Sequence, residues 1–213
     1  MMLVVLVPVL ARPHHVEPFL RAVRESTPEP WRVLFIADPD DVAEHEAIEV
    51  AGGWMIVSSG SYSQKINRGV AETDEPLILL AADDVRPHSG WLERALEAMV
   101  NGVQVVGLED LIPRPNRLGH ATHFLMTREY AQLPCIDGSR GPLYEGYAHC
   151  RIDDELMATA TKRGCYAYAP EAILEHVGHP MLPDGVDDET YRKGRANIRL
   201  DGKRFMRRAH LWA

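Results

Sequence analysis

The sequence predicts an α/β protein: a mostly parallel sheet with helices on both faces, in one domain followed by a basic C-terminal tail. Three observations carry this. Through the first 110 residues, apolar runs alternate with amphipathic stretches, the pattern of strands feeding crossover helices. The runs are rich in Val, Leu and Ile and nearly unbroken, as strands buried on both faces require. The chain has 213 residues, 46% of them apolar and 25% charged, which suits one globular domain that needs no disulfide or structural metal.

Leu3–Leu10 reads as the first strand, and His14–Ser26 as a helix with Val16, Phe19, Leu20 and Val23 at helical spacing. Arg32–Ala37 is a second strand, ended by Asp38-Pro39-Asp40-Asp41. Val42–Val50 is a helix stopped by Gly52-Gly53, and Trp54–Val57 is a third strand. Tyr62–Glu72 is helical, with Ile66 and Val70 four apart on one face. Leu77–Ala82 makes a fourth strand, Trp91–Met99 an amphipathic helix, and Val103–Leu108 a fifth strand. Past this point the pattern loosens. Ile112–Gly119, with Pro113 and Pro115, is a loop, Thr122–Met126 a strand, and Gly138–Gly146 a run of turns. Asp153–Arg163 is a helix stopped by Gly164, and Tyr166–Ala169 and Ala172–Val177 are short strands around Pro170. The division expected is a domain over residues 1–180 and a basic extension over 181–213.

Composition excludes several classes. With 31 acids against 23 bases the net charge is -8, so a generally basic nucleic-acid wrapper is ruled out. The apolar start, Met1–Ala11, is too short to span a bilayer and lacks the charged opening of a signal peptide, so a soluble cytoplasmic protein is expected. Cys135, Cys150 and Cys165 form no close pair, and three buried thiols in a reducing compartment are expected. The charge is unevenly placed. Arg192–Arg208 carries eight bases and one acid, Asp201, a net +7 that leaves -15 on the rest of the chain.

Three clusters have chemical potential. Asp83 and Asp84 end a buried strand, where open α/β sheets place their ligands and where a carboxylate pair can hold a hard divalent cation. Asp153-Asp154-Glu155 opens a helix; capping explains one acid, and another can act as a general base. Glu175-His176-Val177-Gly178-His179 follows a strand, with histidines three apart that can reach one metal. Each cluster alone also has a structural explanation: strand-ending acids, a capped helix, packed histidines. His120 and His123 read as packing or acceptor-side residues.

In this order the clusters resemble the GT-A glycosyltransferases, in particular the large inverting family with a nucleotide-diphospho-sugar-binding domain. The resemblance runs from about Leu3 to His179. Pro8 and Arg12 fall in that family's first strand and nucleotide-facing loop. Asp38 matches the acid that contacts the nucleotide base, and Lys65 and Asn67 a helix segment that faces the donor. Ala82-Asp83-Asp84 stands at the DxD motif, with Ala82 in place of the first acid. Asp153 matches the catalytic base, with Asp154 its rival one position on, and His176 matches the C-terminal metal ligand, with His179 its rival. The resemblance implies an inverting transferase that uses Mn²⁺ or Mg²⁺ and a nucleotide-sugar donor, in first place a UDP-sugar. Asp84 and His176 would bind the metal, and Pro8, Arg12, Asp38, Lys65, Asn67 and Asp83 the donor.

Sugar-nucleotide pyrophosphorylases share a similar sheet but carry a Gly-rich loop after the first strand, which Ala11-Arg12-Pro13-His14 lacks. A non-catalytic nucleotide-sugar or nucleic-acid binding module is the other alternative. For the acceptor, the basic tail with Tyr191, Phe205 and Trp212 suggests a polyanion whose bases stack on aromatic rings. Small transferases of this kind in bacterial viruses glycosylate hydroxymethylated pyrimidines, so a hydroxymethylated base in DNA is the acceptor expected. A glycan, lipid-linked or protein acceptor competes, as does a solvated or membrane-facing helix, or a tail that neutralises the acidic body in an oligomer.

Overall fold

The computed structural model describes residues 2–114 and 119–213. Strand β1 (Leu3–Pro8), helix α1 (Pro13–Ser26), β2 (Trp31–Ala37), α2 (Val42–Val50), β3 (Trp54–Val57), α3 (Tyr62–Ala71) and β4 (Leu77–Leu80) follow the predicted alternation. Then come β5 (Val85–Pro87), α4 (Trp91–Ala98), β6 (Val105–Glu109), β7 (Phe124–Thr127), α5 (Arg128–Ala131), α6 (Ile152–Lys162), β8 (Tyr166–His176), α7 (Glu189–Ala196) and α8 (Ile198–Arg208). Of the loop expected over Ile112–Gly119, residues 115–118, Pro115 among them, lie outside the described residues.

Among the described residues the sheet runs β3-β2-β1-β4-β7-β6-β8-β5. The β1–β2, β2–β3, β1–β4 and β6–β8 pairs are parallel, and β7 enters the centre antiparallel to both neighbours. Alternation along the strands explains the two-sided burial. Leu3, Val5 and Val7 enter one core with Val16, Phe19 and Val23 of α1 and Trp91 of α4. Val4 and Leu6 enter the other with Ile66 of α3 and Leu156 and Ala160 of α6. Helix α3 sits close because residue 69 is glycine: a Cβ there would lie 2.8 Å from Ile36 Cδ1.

The two short strands expected around Pro170 are one strand, β8, whose register shifts opposite Leu108 and Glu109. A proline in a sheet is accommodated at such an irregularity, because the ladder there needs no N–H. Strand β5 and helices α5, α7 and α8 were not resolved by periodicity; β5 and α5 are too short to show any. No helix of the described residues is long and apolar enough to cross a membrane. The three cysteines are free, Cys135 and Cys165 buried.

The basic C-terminal segment folds back as α7 and α8. Asp201, wholly buried, is its anchor: its carboxylate accepts from the backbone N–H of Ala148 (3.0 Å), His149 (2.9 Å) and Cys150 (2.9 Å). Arg208 pairs with Glu155 and Asp137 at 2.6 Å. Asp201→Ala leaves three N–H groups without their acceptor and is expected to cost about 2 kcal/mol. For a chain of this size that is a fall in Tm of about 4–8 °C, read by calorimetry, with Asp201→Asn falling less.

Candidate active site

The parallel strands β1, β2 and β4 end on the same edge of the sheet, and the predicted residues gather there. β4 runs out into Ala81-Ala82-Asp83-Asp84, and β5 then pairs antiparallel with β8, setting Val85 opposite His176. Val177 N–H donates to the Asp84 carbonyl at 2.8 Å. That register brings together two residues 92 apart in sequence: His176 Nε2 lies 3.2 Å from Asp84 Oδ1. His179 packs its ring on His176 and Tyr191, and its Nδ1 accepts from Met181 N–H, so His176 is the histidine at the carboxylate.

Arg12 is not on an open nucleotide-facing loop. Its guanidinium is buried, donating to Asp84 Oδ2 at 2.7 Å, 3.5 Å from Asp83 and 2.7 Å from Asp188. Tyr191 Oη also donates to Asp84 Oδ2 at 2.7 Å, and its ring lies under the Arg12 guanidinium. The loop is held by α2: Asp41 accepts from Ala11 N–H at 2.7 Å and the buried Glu44 from Arg12 N–H at 2.6 Å. Ala11 takes a left-handed φ of 53°, a conformation that costs a non-glycine residue about 1 kcal/mol or more and so needs that support.

The electrostatics separate the two acids. Burial would raise Asp84, but the charges of His176 and Arg12 and the Tyr191 hydroxyl hold it well below the usual carboxylate range. Asp83, buried and beside the Asp84 charge, is pushed up. Burial and the neighbouring His176 push His123 down to about 4, so its ring is neutral.

Asp83 Oδ2 is buried and lacks a hydrogen-bond donor among the described residues, and the buried Asp84 Oδ1 faces His176 Nε2 at 3.2 Å. A carboxylate oxygen and an imidazole nitrogen are donor types that suit a hard or borderline divalent cation, but Asp83, Asp84 and His176 do not draw three ligand atoms together as closely as His120, Asp153 and Asp154 do.

Lys65 Nζ donates to Asp38 Oδ2 at 2.6 Å and to the Val9 carbonyl at 3.0 Å, joining the ends of β1 and β2 to α3 beyond Pro8. Asn67 is not brought there. Its amide donates to the Leu143 carbonyl (2.8 Å) and Glu145 (2.9 Å) and accepts from Leu143 N–H (3.2 Å), which fixes the loop before α6.

On the other side stands the start of α6. Arg151, at a left-handed φ of 72°, turns the chain into the helix and donates to Asp154 at 2.8 Å. His120 Nε2 is 3.1 Å from Asp153 Oδ2 and 3.4 Å from Asp154 Oδ1. Among the described residues these three form the only His–carboxylate group of three compact enough for a single ion. Asp153 is the more exposed acid, at 24% against 13% for Asp154. Asp153, His176 and Tyr191 line one cavity of about 370 Å³.

Sequence reasoning missed Glu44, Asp188 and Tyr191 as parts of this site. Asp188 lies 176 positions from Arg12 and Tyr191 lies 107 from Asp84, and no local pattern marks them.

The mixed sheet has the GT-A fold, which it shares with solved structures. No protein-family profile and no curated protein matches the sequence. Solved structures with the same fold include the mannosyltransferase PcManGT from Pyrobaculum calidifontis in complex with GDP-Man and Mn²⁺, at a TM-score of 0.66 and 12% identity. That match covers 83% of this chain, which spans 56% of the mannosyltransferase. Another is glucosyl-3-phosphoglycerate synthase from Mycobacterium tuberculosis in complex with Mn²⁺, UDP and glucosyl-3-phosphoglycerate. Its TM-score is 0.64 at 13% identity, over 92% of this chain and 77% of the synthase.

Proposed function

We propose that this protein is a metal-dependent inverting glycosyltransferase that moves a sugar from a nucleotide-diphospho-sugar, in first place a UDP-sugar, to an acceptor hydroxyl. The observation that carries this reading is the meeting of Asp84 with His176 beside the cavity that Asp153 also lines. The fold neighbours add support, since both bind Mn²⁺ with a nucleotide or nucleotide sugar.

Asp84 and His176, with Asp83 beside them, would hold Mn²⁺ or Mg²⁺, which supplies Lewis-acid stabilisation of the departing diphosphate. The chain's own residues do the rest. Lys65 and Asp38 shape the nucleotide side next to Pro8. Arg12 keeps a fixed positive charge against the two carboxylates and belongs to the donor site through them. Asp153 takes the proton of the acceptor hydroxyl as its oxygen bonds to the anomeric carbon. The bond from that carbon to the diphosphate oxygen breaks, and its electron pair leaves with the diphosphate. One base opposite the leaving group inverts the configuration, as in inverting glycoside hydrolysis. Asp154, tied to Arg151, holds the helix start in place.

The DNA acceptor rests on the basic segment. Arg199, Lys203 and Arg207 form an exposed row on α8 without partners among the described residues, and the row suits a polyanion. The aromatic half of that expectation is corrected: Phe205 and Trp212 stack on each other and Tyr191 is committed to Asp84. Arg192, Lys193, Arg195, Arg204 and Arg208 have partners within the chain. Hydroxymethylcytosine DNA therefore enters the assay as one acceptor among several.

The test is nucleotide release from a panel of nucleotide sugars, with Mn²⁺ and with EDTA. Release from at least one donor that stops in EDTA is expected. Full activity in EDTA overturns the metal assignment, and donor binding without any release identifies a binding module instead.

A further inference from the structure

We propose that the acceptor is a small alcohol with an apolar body, taken hydroxyl-first into the cavity beside Asp153. This deepens the transferase reading and rests on it for the transfer step. At about 370 Å³ the cavity stands at the small end of ligand pockets, which run from about 300 to 1,000 Å³. Its floor is Leu80, Phe124, Leu143, Ile152 and Leu156, side chains without one polar atom. All five belong to the core beneath α6.

Six polar side chains around that floor are already engaged within the chain, while the ring nitrogens of His123 have no hydrogen-bond partner among the described residues. Tyr62 donates to the Ala81 carbonyl, Thr122 to Asp110, Tyr191 to Asp84, and Cys150 to the Gly194 carbonyl. Arg151 is paired with Asp154, and Arg195 with Asp187. Against the five apolar floor side chains a sugar or a nucleobase would surrender its water hydrogen bonds without replacement, a loss that an apolar ring or branched chain does not incur. Asp153 stands in the same lining with a carboxylate to receive a hydroxyl proton.

Size limits the choice from the other side. Helices α7 and α8 wall the cavity through Tyr191, Gly194, Arg195 and Ile198. The wall is tight: a Cβ on Gly194 would lie 2.6 Å from the His149 ring. Asp201 holds this wall down through its three backbone hydrogen bonds.

The experiment uses the full chain with Mn²⁺ and the nucleotide sugar that most raises its Tm. 2-Phenylethanol and cyclohexylmethanol are compared with methyl glucoside and hydroxymethylcytosine duplex DNA as acceptors. Nucleotide release at least tenfold faster with the two alcohols, with the glycoside identified by mass, is expected. Saturation-transfer NMR on donor-free protein is expected to show both alcohols bound, and the signal to fall at least fivefold in Leu156→Trp and in Ile198→Trp. Ile198 is 49% exposed, so its variant tests the cavity even if Leu156→Trp fails to fold. Faster release with methyl glucoside or DNA overturns the proposal, as does alcohol binding unchanged in the folded variants. No release with any acceptor or with water overturns the transferase reading instead, and the NMR arm then decides the cavity's ligand class by itself.

Discussion

Asp84→Asn is expected to slow nucleotide-sugar turnover at least about a thousandfold. In the proposed reaction the Asp84 carboxylate is the anionic ligand of the cation that stabilises the leaving diphosphate, a contribution of several kcal/mol. Each ~1.4 kcal/mol is tenfold in rate. Asparagine keeps the shape and an oxygen for Arg12 and Tyr191, so the loss reports on charge. The structure also changes what the substitution does to the fold. Asp84 is the buried partner of Arg12, and breaking a buried pair outright costs about 3–5 kcal/mol. Arg12 retains Asp188 and Asp83 nearby, so the protein is expected to fold with a lowered Tm. Steady-state turnover across a Mn²⁺ titration, with calorimetry alongside, checks both parts. Turnover restored by excess Mn²⁺ would show that Asp84 tunes affinity only.

Asp153→Asn is expected to cost a hundredfold or more in turnover, the usual contribution of a positioned general base. Donor affinity should hardly change, because the carboxylate acts on the acceptor. Asp154→Asn is expected to retain most activity and lose stability instead, since Asp154 is held by Arg151 at 2.8 Å and is the less exposed acid. His120 lies within 3.4 Å of both acids, so the two variants also separate the base from its neighbour. The measurement is kcat and donor KM for each variant. An active Asp153→Asn beside a dead Asp154→Asn moves the base by one residue.

Residue periodicity was legible where burial is two-sided and local. The unbroken apolar runs Leu3–Pro8 and Leu77–Leu80 pack into both cores, and the spacing of Val16, Phe19, Leu20 and Val23 marks the buried face of α1. Strand β7 shows the limit of that reading. Phe124–Thr127 is apolar enough to be a strand, but its antiparallel entry between β4 and β6 depends on partners that lie 17 to 50 positions away. The short strands around Pro170 were split by proline's missing N–H, and only the register shift opposite Leu108 joins them.

The sequence by itself determined the α/β class, the acids at the end of β4 and at the start of α6, and the late histidine, because each is a local pattern of burial or charge. Tertiary structure alone decided which of them meet. The β5–β8 register sets His176 against Asp84, Asn67 turns to the loop at Leu143, and α7 returns Asp188 and Tyr191 to the carboxylates around Arg12. A buried charge needs partners wherever in the chain they come from. Spacing along the sequence does not record which residues the folding of a long chain brings within 3 Å, so pairs such as Arg12–Asp188 and Asp84–Tyr191 were readable only in three dimensions.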